Sequence, residues 1–244
     1  MRKFWSCLAV LVVAAMFVAD AEAAPDCKLV REASLDMTIL PDGKLAVPVT
    51  IGTTEKKMIV SLHDSLSYVF GTFADSQSFS SQTAESAVQT GDGSMTRHVT
   101  LPNLQIGMAQ GHDIHVYRME RDFLGYPDVV GLLGTDLLRN FDVEFDFKAN
   151  KLNLFSQDHC PGAVVYWAKA AASVPLQTDA IGHITIAMEL DGKPLAVSFD
   201  TSPGHARMTM ATAQRLFDIN DDPPGLKNST NESPGGLTLY NHPF

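Results

Sequence analysis

Regular helical spacing is almost absent from this chain of 244 residues. Apolar residues seldom recur at the three-and-four spacing of a helix face, which argues against a bundle. Positive charge is also short. The 18 Lys and Arg face 28 Asp and Glu, leaving a formal net charge of −10. Such a surface repels polyanions, so neither nucleic acid nor an anionic membrane is an expected partner. Beyond the N-terminus no uncharged run is long enough to cross a bilayer, so no stable membrane insertion is expected. Metal-ligand spacing is missing as well. His112-Asp113-Ile114-His115 has no third or fourth ligand at a matching distance, and strand alternation puts Asp113 and His115 on the face opposite His112. No metal or other cofactor is expected.

Cysteine is scarce too, at 3 residues. Cys7 stands just before the N-terminal apolar run Leu8–Val18 and follows Trp5-Ser6 rather than two small residues, a poor setting for a lipid anchor. Arg2 and Lys3 precede that run, and Ala21-Glu22-Ala23 follows it with small residues. This is the layout of a secretory signal over residues 1–23, so the chain is expected to be secreted or periplasmic. Cys27 and Cys160 then remain in an oxidising compartment, with one pairing open to them. They stand just outside the two ends of one apparent domain, and a disulfide between them is expected.

What the chain does have is a series of short β-rich segments divided by turn signals, which implies an all-β barrel or sandwich. Candidate strands are Ala46–Ile51, Lys57–Ser61, Ser94–Leu101, His112–Tyr117, Phe141–Phe147 and Leu152–Phe155. Asp42-Gly43, Asp92-Gly93 and Asp191-Gly192 are hairpin-type turns, because glycine tolerates positive φ. Short helices are expected at Asp136–Asn140 and Ala211–Phe217. Residues 159–173 are polar, turn-forming and rich in small side chains, and read as a linker. It divides a first lobe, 28–158, from a second, 174–244.

One segment occurs twice. Ile51–Ser61 reads IGTTEKKMIVS and Leu190–Asp200 reads LDGKPLAVSFD, aligned without a gap at an offset of 139. Each is a strand, a polar turn and an apolar strand. The second copy runs into Asp200-Thr201-Ser202, the first into Ser61-Leu62-His63.

The pattern resembles the aspartic proteases, the two-lobed pepsin-like enzymes and more closely the retropepsin-like families of secreted bacterial proteins. Asp200-Thr201-Ser202 looks like the catalytic Asp-Thr-Gly/Ser loop. Val129-Val130-Gly131-Leu132-Leu133-Gly134-Thr135-Asp136-Leu137-Leu138 looks like the apolar–Gly element and short helix that close a lobe. Phe141–Phe147 with Lys151–Phe155 looks like the closing hairpin. The resemblance implies a two-lobed acid-protease-like β-barrel fold with short helices, acting on an extended peptide or protein. It implies hydrolysis by a water held between two Asp that share a proton, since adjacent like charges cannot both ionise easily. It also implies that Thr hydroxyls lock the two loops together, and that residues 88–98 form a substrate-covering flap.

The first loop departs from that pattern at all three positions. Ser61 replaces the Asp, Leu62 the Thr and His63 the Gly. Asp64 stands three residues on, roughly 10 Å along an extended chain, and on that reach is not expected to replace the missing acid. Ser61, His63 and Asp64 are not expected to form a serine-hydrolase triad, which draws on separate elements and its own oxyanion hole. The second lobe also reads as truncated. Gly131 follows Ser61 by 70 residues, and the same step from Asp200 would pass the last residue, Phe244. A fragment of a longer protein is the favoured reading, with an abbreviated second half as the other. Two functions follow. One is a peptidase, weak or inactive, whose second acid comes from a diverged first loop or from Asp200 of a homodimer partner. The other is a non-catalytic relative that lays extended peptides along the cleft by strand pairing.

Overall fold

Strand accounts for 51% of the structure and helix for 10%, so the chain is all-β, as its turn-punctuated sequence implies. The computed structural model describes residues 28–90, 93–159, 164–178, 182–201, 208–219, 227–229 and 239–241. The first strands are β1 (Arg31–Asp36), β2 (Thr38–Ile39), β3 (Leu45–Ile51), β4 (Thr54–Val60) and β5 (Tyr68–Phe70). Helix α1 (Gly71–Ser76) follows, then β6 (Ser81–Thr90), β7 (Gly93–Ile106), β8 (Ala109–Met119) and β9 (Val129–Leu133). Helix α2 (Thr135–Leu138) leads into β10 (Asp142–Asp146) and β11 (Lys151–Phe155). Beyond lie β12 (Leu176–Thr178), β13 (Ile184–Leu190), β14 (Lys193–Ser198), α3 (Met210–Phe217), β15 (Lys227–Ser229) and β16 (Leu239–Asn241).

The largest sheet runs β2-β3-β4-β9-β5-β8-β7-β6 and closes on itself. Closure comes from Thr50 and Ile51 of β3 pairing with Gln105 and Leu104 of β7. The result is a barrel of β3, β4, β9, β5, β8 and β7, with β2 and β6 appended. Closing the ring removes the free edges that an open sheet would expose. Parallel pairs sit at its centre, β4 with β9 and β5 with β8. Where these strands are covered on both faces, the sequence is continuously apolar rather than alternating, as in YVF of β5 and Met58-Ile59-Val60 at the end of β4. In β9 all five residues, VVGLL, are buried. Val130 and Leu133 belong to one cluster with Val47, Val60 and Leu101, while Val129 and Leu132 join Ile59, Phe70 and Met119 in the other.

Expected strands appear at each predicted site, with ends moved by a few residues. Both short helices form, as α2 and α3. The turn at Asp191-Gly192 takes positive φ at both residues, and Gly43 is likewise left-handed at +81°. The elements beyond the sequence expectation include β1, β5, α1 and β6. In β1 only Ala33 and Leu35 point inward, too few to register as a strand pattern, yet the segment pairs with β11 along its length. β5 is three buried residues, shorter than any period can reveal. Helix α1 lacks a side-chain cap and is clamped instead by Arg118 of β8, which holds both carboxylate oxygens of Asp75 at 2.7 and 2.9 Å. That hydrogen bonding holds the Asp75 carboxyl below its usual range. The polar strand β6 is held by its hairpin with β7, from Ser81–Val99 to Thr90–Gly93.

The second hairpin repeats the first pair by pair. Ala46–Ile59, Val47–Met58 and Ile51–Thr54 in β3–β4 become Thr185–Ser198, Ile186–Val197 and Leu190–Lys193 in β13–β14. Burial is not repeated. Leu176, Met188 and Phe199 are 65%, 48% and 46% exposed, and Ala213 is the buried hydrophobic residue of this region among the described residues.

Candidate functional site

The site is built where the two copies of the repeat end. Strand β4 delivers Ser61 into the interior, 2% exposed, with its N–H donating to Leu133 O at 3.0 Å. Directly after it the backbone bends. Asp64 N–H donates to Ser61 Oγ at 3.0 Å, and Ser61 Oγ–H donates to Asp64 Oδ2 at 2.6 Å. Here the structure corrects the sequence expectation. The bend at Leu62-His63 replaces the extended path on which Asp64 was placed out of reach, and the carboxylate returns to residue 61.

The 61–67 loop is fastened to the start of α2. Thr135 N–H donates to Asp64 O at 2.9 Å, and Gly134 N–H donates to Ser67 Oγ at 2.8 Å. Ser67 in turn donates through N–H and Oγ–H to the two Asp136 oxygens, at 2.9 and 2.5 Å. A side chain at Gly134 would meet Asp64 O at 2.8 Å and the Leu66 carbonyl carbon at 2.7 Å. The GLLGTDLL stretch singled out in the sequence is therefore the clamp for the first loop.

Across from it stands the second repeat. Thr201 Oγ–H donates to Val60 O at 2.9 Å and accepts from Leu62 N–H at 3.2 Å. Leu62 and Thr201 are separated by 139 residues, the offset of the repeat, so equivalent positions of the two copies touch. The locking contact runs one way only, because the Leu62 side chain carries no hydroxyl to return it. Thr135 Oγ–H adds a further tie to Gly182 O at 3.0 Å. His63 faces Ser198 Oγ at 3.2 Å and stacks on His183, with ring centroids 5.7 Å apart and planes 7° from parallel.

Of the sequence candidates, Ser61, Leu62, His63, Asp200 and Thr201 come together at this junction. Asp200 is exposed and adjoins Thr201. Ser202, Cys27 and Cys160 lie outside the described residues, as do segment 1–23 and the Gly91-Asp92 tip of the expected flap. The β6–β7 hairpin that leads to that tip is present. Ser61, His63 and Asp64 do not form a relay, since His63 turns to Ser198 and His183 while Asp64 takes Ser61. Among the described residues no cluster of His, Cys, Asp and Glu could hold a metal. His115 instead meets Thr100 Oγ1 at 3.1 Å. A cavity of about 810 Å³ lies alongside the junction, walled by Leu62, Leu66, Phe141, Trp167 and Ile184.

No protein-family model matches the chain, and no curated protein matches it. Among solved structures, the chain is similar to a retropepsin-like aspartic protease from Rickettsia conorii. The identity is 18% and the TM-score 0.40, over 53% of this chain and 96% of that one. It is also similar to the retroviral protease-like domain of Ddi1 from Leishmania major. There the identity is 18% and the TM-score 0.35, over 47% of this chain and 95% of that one.

Proposed function

We propose that this chain is an aspartic-protease-like protein that takes an extended polypeptide at the junction of the 61–64 and 200–201 loops. The observation that carries this reading is the Thr201 hydroxyl, bonded on both sides of Ser61, to Val60 O and Leu62 N. A hydroxyl bridging the ends of two repeated strands holds two loops face to face, which an acid pair across an interface requires. Asp200 then serves as the acid of the second loop. Thr201 orients that loop, Ser202 allows close packing, and the β6–β7 hairpin covers the bound peptide.

The replacement of Asp by Ser at position 61 favours a second reading, in which the cleft binds extended peptides by strand pairing and hydrolysis is weak or lost. Incubation with an unfolded protein at roughly pH 3–6, the range in which such acid pairs share a proton, separates the two. Cleavage by the full chain that disappears in Asp200→Asn supports the peptidase. Peptide binding without cleavage, unchanged by Asp200→Asn, supports the binding module.

The proposal extends to the termini of the barrel. Residues 1–23 direct export, the mature protein works outside the cytoplasm, and 159–173 divides two lobes. A Cys27–Cys160 disulfide then ties the ends of the first lobe. The β1–β11 ladder supports it, since Arg31 pairs with Phe155 and Ser156 N–H donates to Val30 O at 2.9 Å, and each cysteine lies within four residues of that bond along the sequence. Non-reducing mass spectrometry of exported protein is expected to show the linked peptides; two alkylatable thiols would remove the bond.

A further inference from the structure

Acid-pair hydrolysis asks for two carboxylates, and the end of β4 offers a hydroxyl. We infer that Asp64 supplies the first-loop carboxylate, folded back onto Ser61, which acts as its positioning residue. This inference rests on the peptidase reading of the same site.

Three observations carry it. The first is the bond from Ser61 Oγ to Asp64 Oδ2, at 2.6 Å, within the range of a hydroxyl donating to an ionised carboxylate. The second is that Asp64 is held at its backbone as well as its side chain. Its N–H is on Ser61 Oγ, its carbonyl accepts from Thr135 N–H, and Gly134 leaves the space its carbonyl fills. A group fixed at three points is the preorganised kind that catalysis uses. The third is where this acid sits. The residues on either side of Ser61 are bonded to Thr201, the neighbour of Asp200. The carboxylate that position 61 lacks thus stands at 64, bonded to the hydroxyl at 61.

The rival use of the same atoms is Ser61 as a nucleophile. A carboxylate alone is a weak base for a serine hydroxyl, and here the carboxylate bonds Ser61 directly, without the imidazole that normally stands between them. His63 is engaged by Ser198 and His183.

With Asp64 ionised and Asp200 protonated, the steps balance. Water bonds through oxygen to the scissile carbonyl carbon and gives one proton to Asp64. Asp200 gives its proton to the carbonyl oxygen, forming a gem-diol. One diol hydroxyl then returns its proton to Asp200 as the carbonyl re-forms and the C–N bond breaks. The leaving nitrogen takes the proton from Asp64, and both acids regain their starting states.

The test uses the full chain, carboxymethylated α-lactalbumin as unfolded substrate and pepstatin as a probe of the acid pair. Asp64→Asn keeps the shape of the side chain and an acceptor for Ser61, and thermal unfolding checks that it folds. It is expected to lose at least about 100-fold in kcat/KM, as removal of a general base does, and to lose pepstatin binding. The exchanged double variant Ser61→Asp with Asp64→Ser is expected to cleave, and activity per molecule to be independent of protein concentration. Asp64→Asn cleaving like the parent while Asp200→Asn is dead would overturn the inference and leave the peptidase reading standing. So would an inactive parent beside an active exchanged variant, or activity per molecule that rises with concentration, which assigns the second acid to another copy. A parent and an exchanged variant that neither cleave nor bind pepstatin overturn both readings together.

Discussion

Gly131→Ala is expected to destabilise the barrel by at least about 3 kcal/mol, at the upper end of what overpacking a core costs. A Cβ at this position would lie 2.1 Å from Tyr68 O, 2.9 Å from Val69 Cα and 3.1 Å from the Tyr68 carbonyl carbon. All three are backbone atoms of β5, so no rotamer change relieves the contact. β9 is paired on both sides, to β4 and to β5, and Gly131 stands opposite Val69 in the second pairing. Moving the strands apart would open the ladder that closes the barrel. The glycine is needed for space and not for a left-handed backbone, so an alanine fails here as a matter of contact. Since domains of this kind hold only about 5–15 kcal/mol in total, a fall of this size should move the urea midpoint far toward zero or leave little folded protein. A midpoint equal to that of the parent would show that β5 and β9 are not packed in this way.

Thr201→Val should detach the two loops while leaving the side-chain shape in place. The exchange removes the donor to Val60 O and the acceptor for Leu62 N–H at once. Each buried group left unpaired costs about 1–3 kcal/mol, and the cost falls on the contact between the repeats and not on the barrel core. Local opening is therefore the expected readout. Hydrogen exchange at Leu62 and in β13–β14 should quicken, with the barrel midpoint nearly unchanged. If the site cleaves peptides, displacement of Asp200 by about an ångström should lower kcat/KM about 100-fold, and Thr201→Ser, which keeps the hydroxyl, should restore most of it. Equal exchange rates in Thr201→Val and the parent would mean that the hydroxyl does not tie the loops.

Much of the local architecture was legible along the chain. Val47, Val49 and Ile51, or Leu152 and Leu154, mark strands by their spacing, and Asp191-Gly192 marks its turn because few residues accept two successive positive φ values. The repeat was legible down to the register, since the hairpin turn sets which residues pair and the turns are spaced alike in both copies. Tyr68-Val69-Phe70 was not legible as a strand. Three residues carry no period, and the segment is a strand only because β8 and β9 flank it. Polar β6 was hidden for the related reason that its pairing with β7, and not its own burial, makes it a strand.

At the site the division is sharper. The chain order alone determined that Asp200-Thr201 and Ser61-Leu62 end equivalent strands, and that the acid is missing from the first. Covalent spacing places Asp64 three residues from Ser61 and can go no further, because distance along a chain bounds reach without saying how the chain bends. Only the tertiary structure decided that the loop turns back. Thr135 N–H and the missing side chain at Gly134, brought from about 70 residues away, let the loop pack so that Asp64 is held against Ser61. Contacts of that range become available once the barrel has closed, and no local sequence signal encodes them.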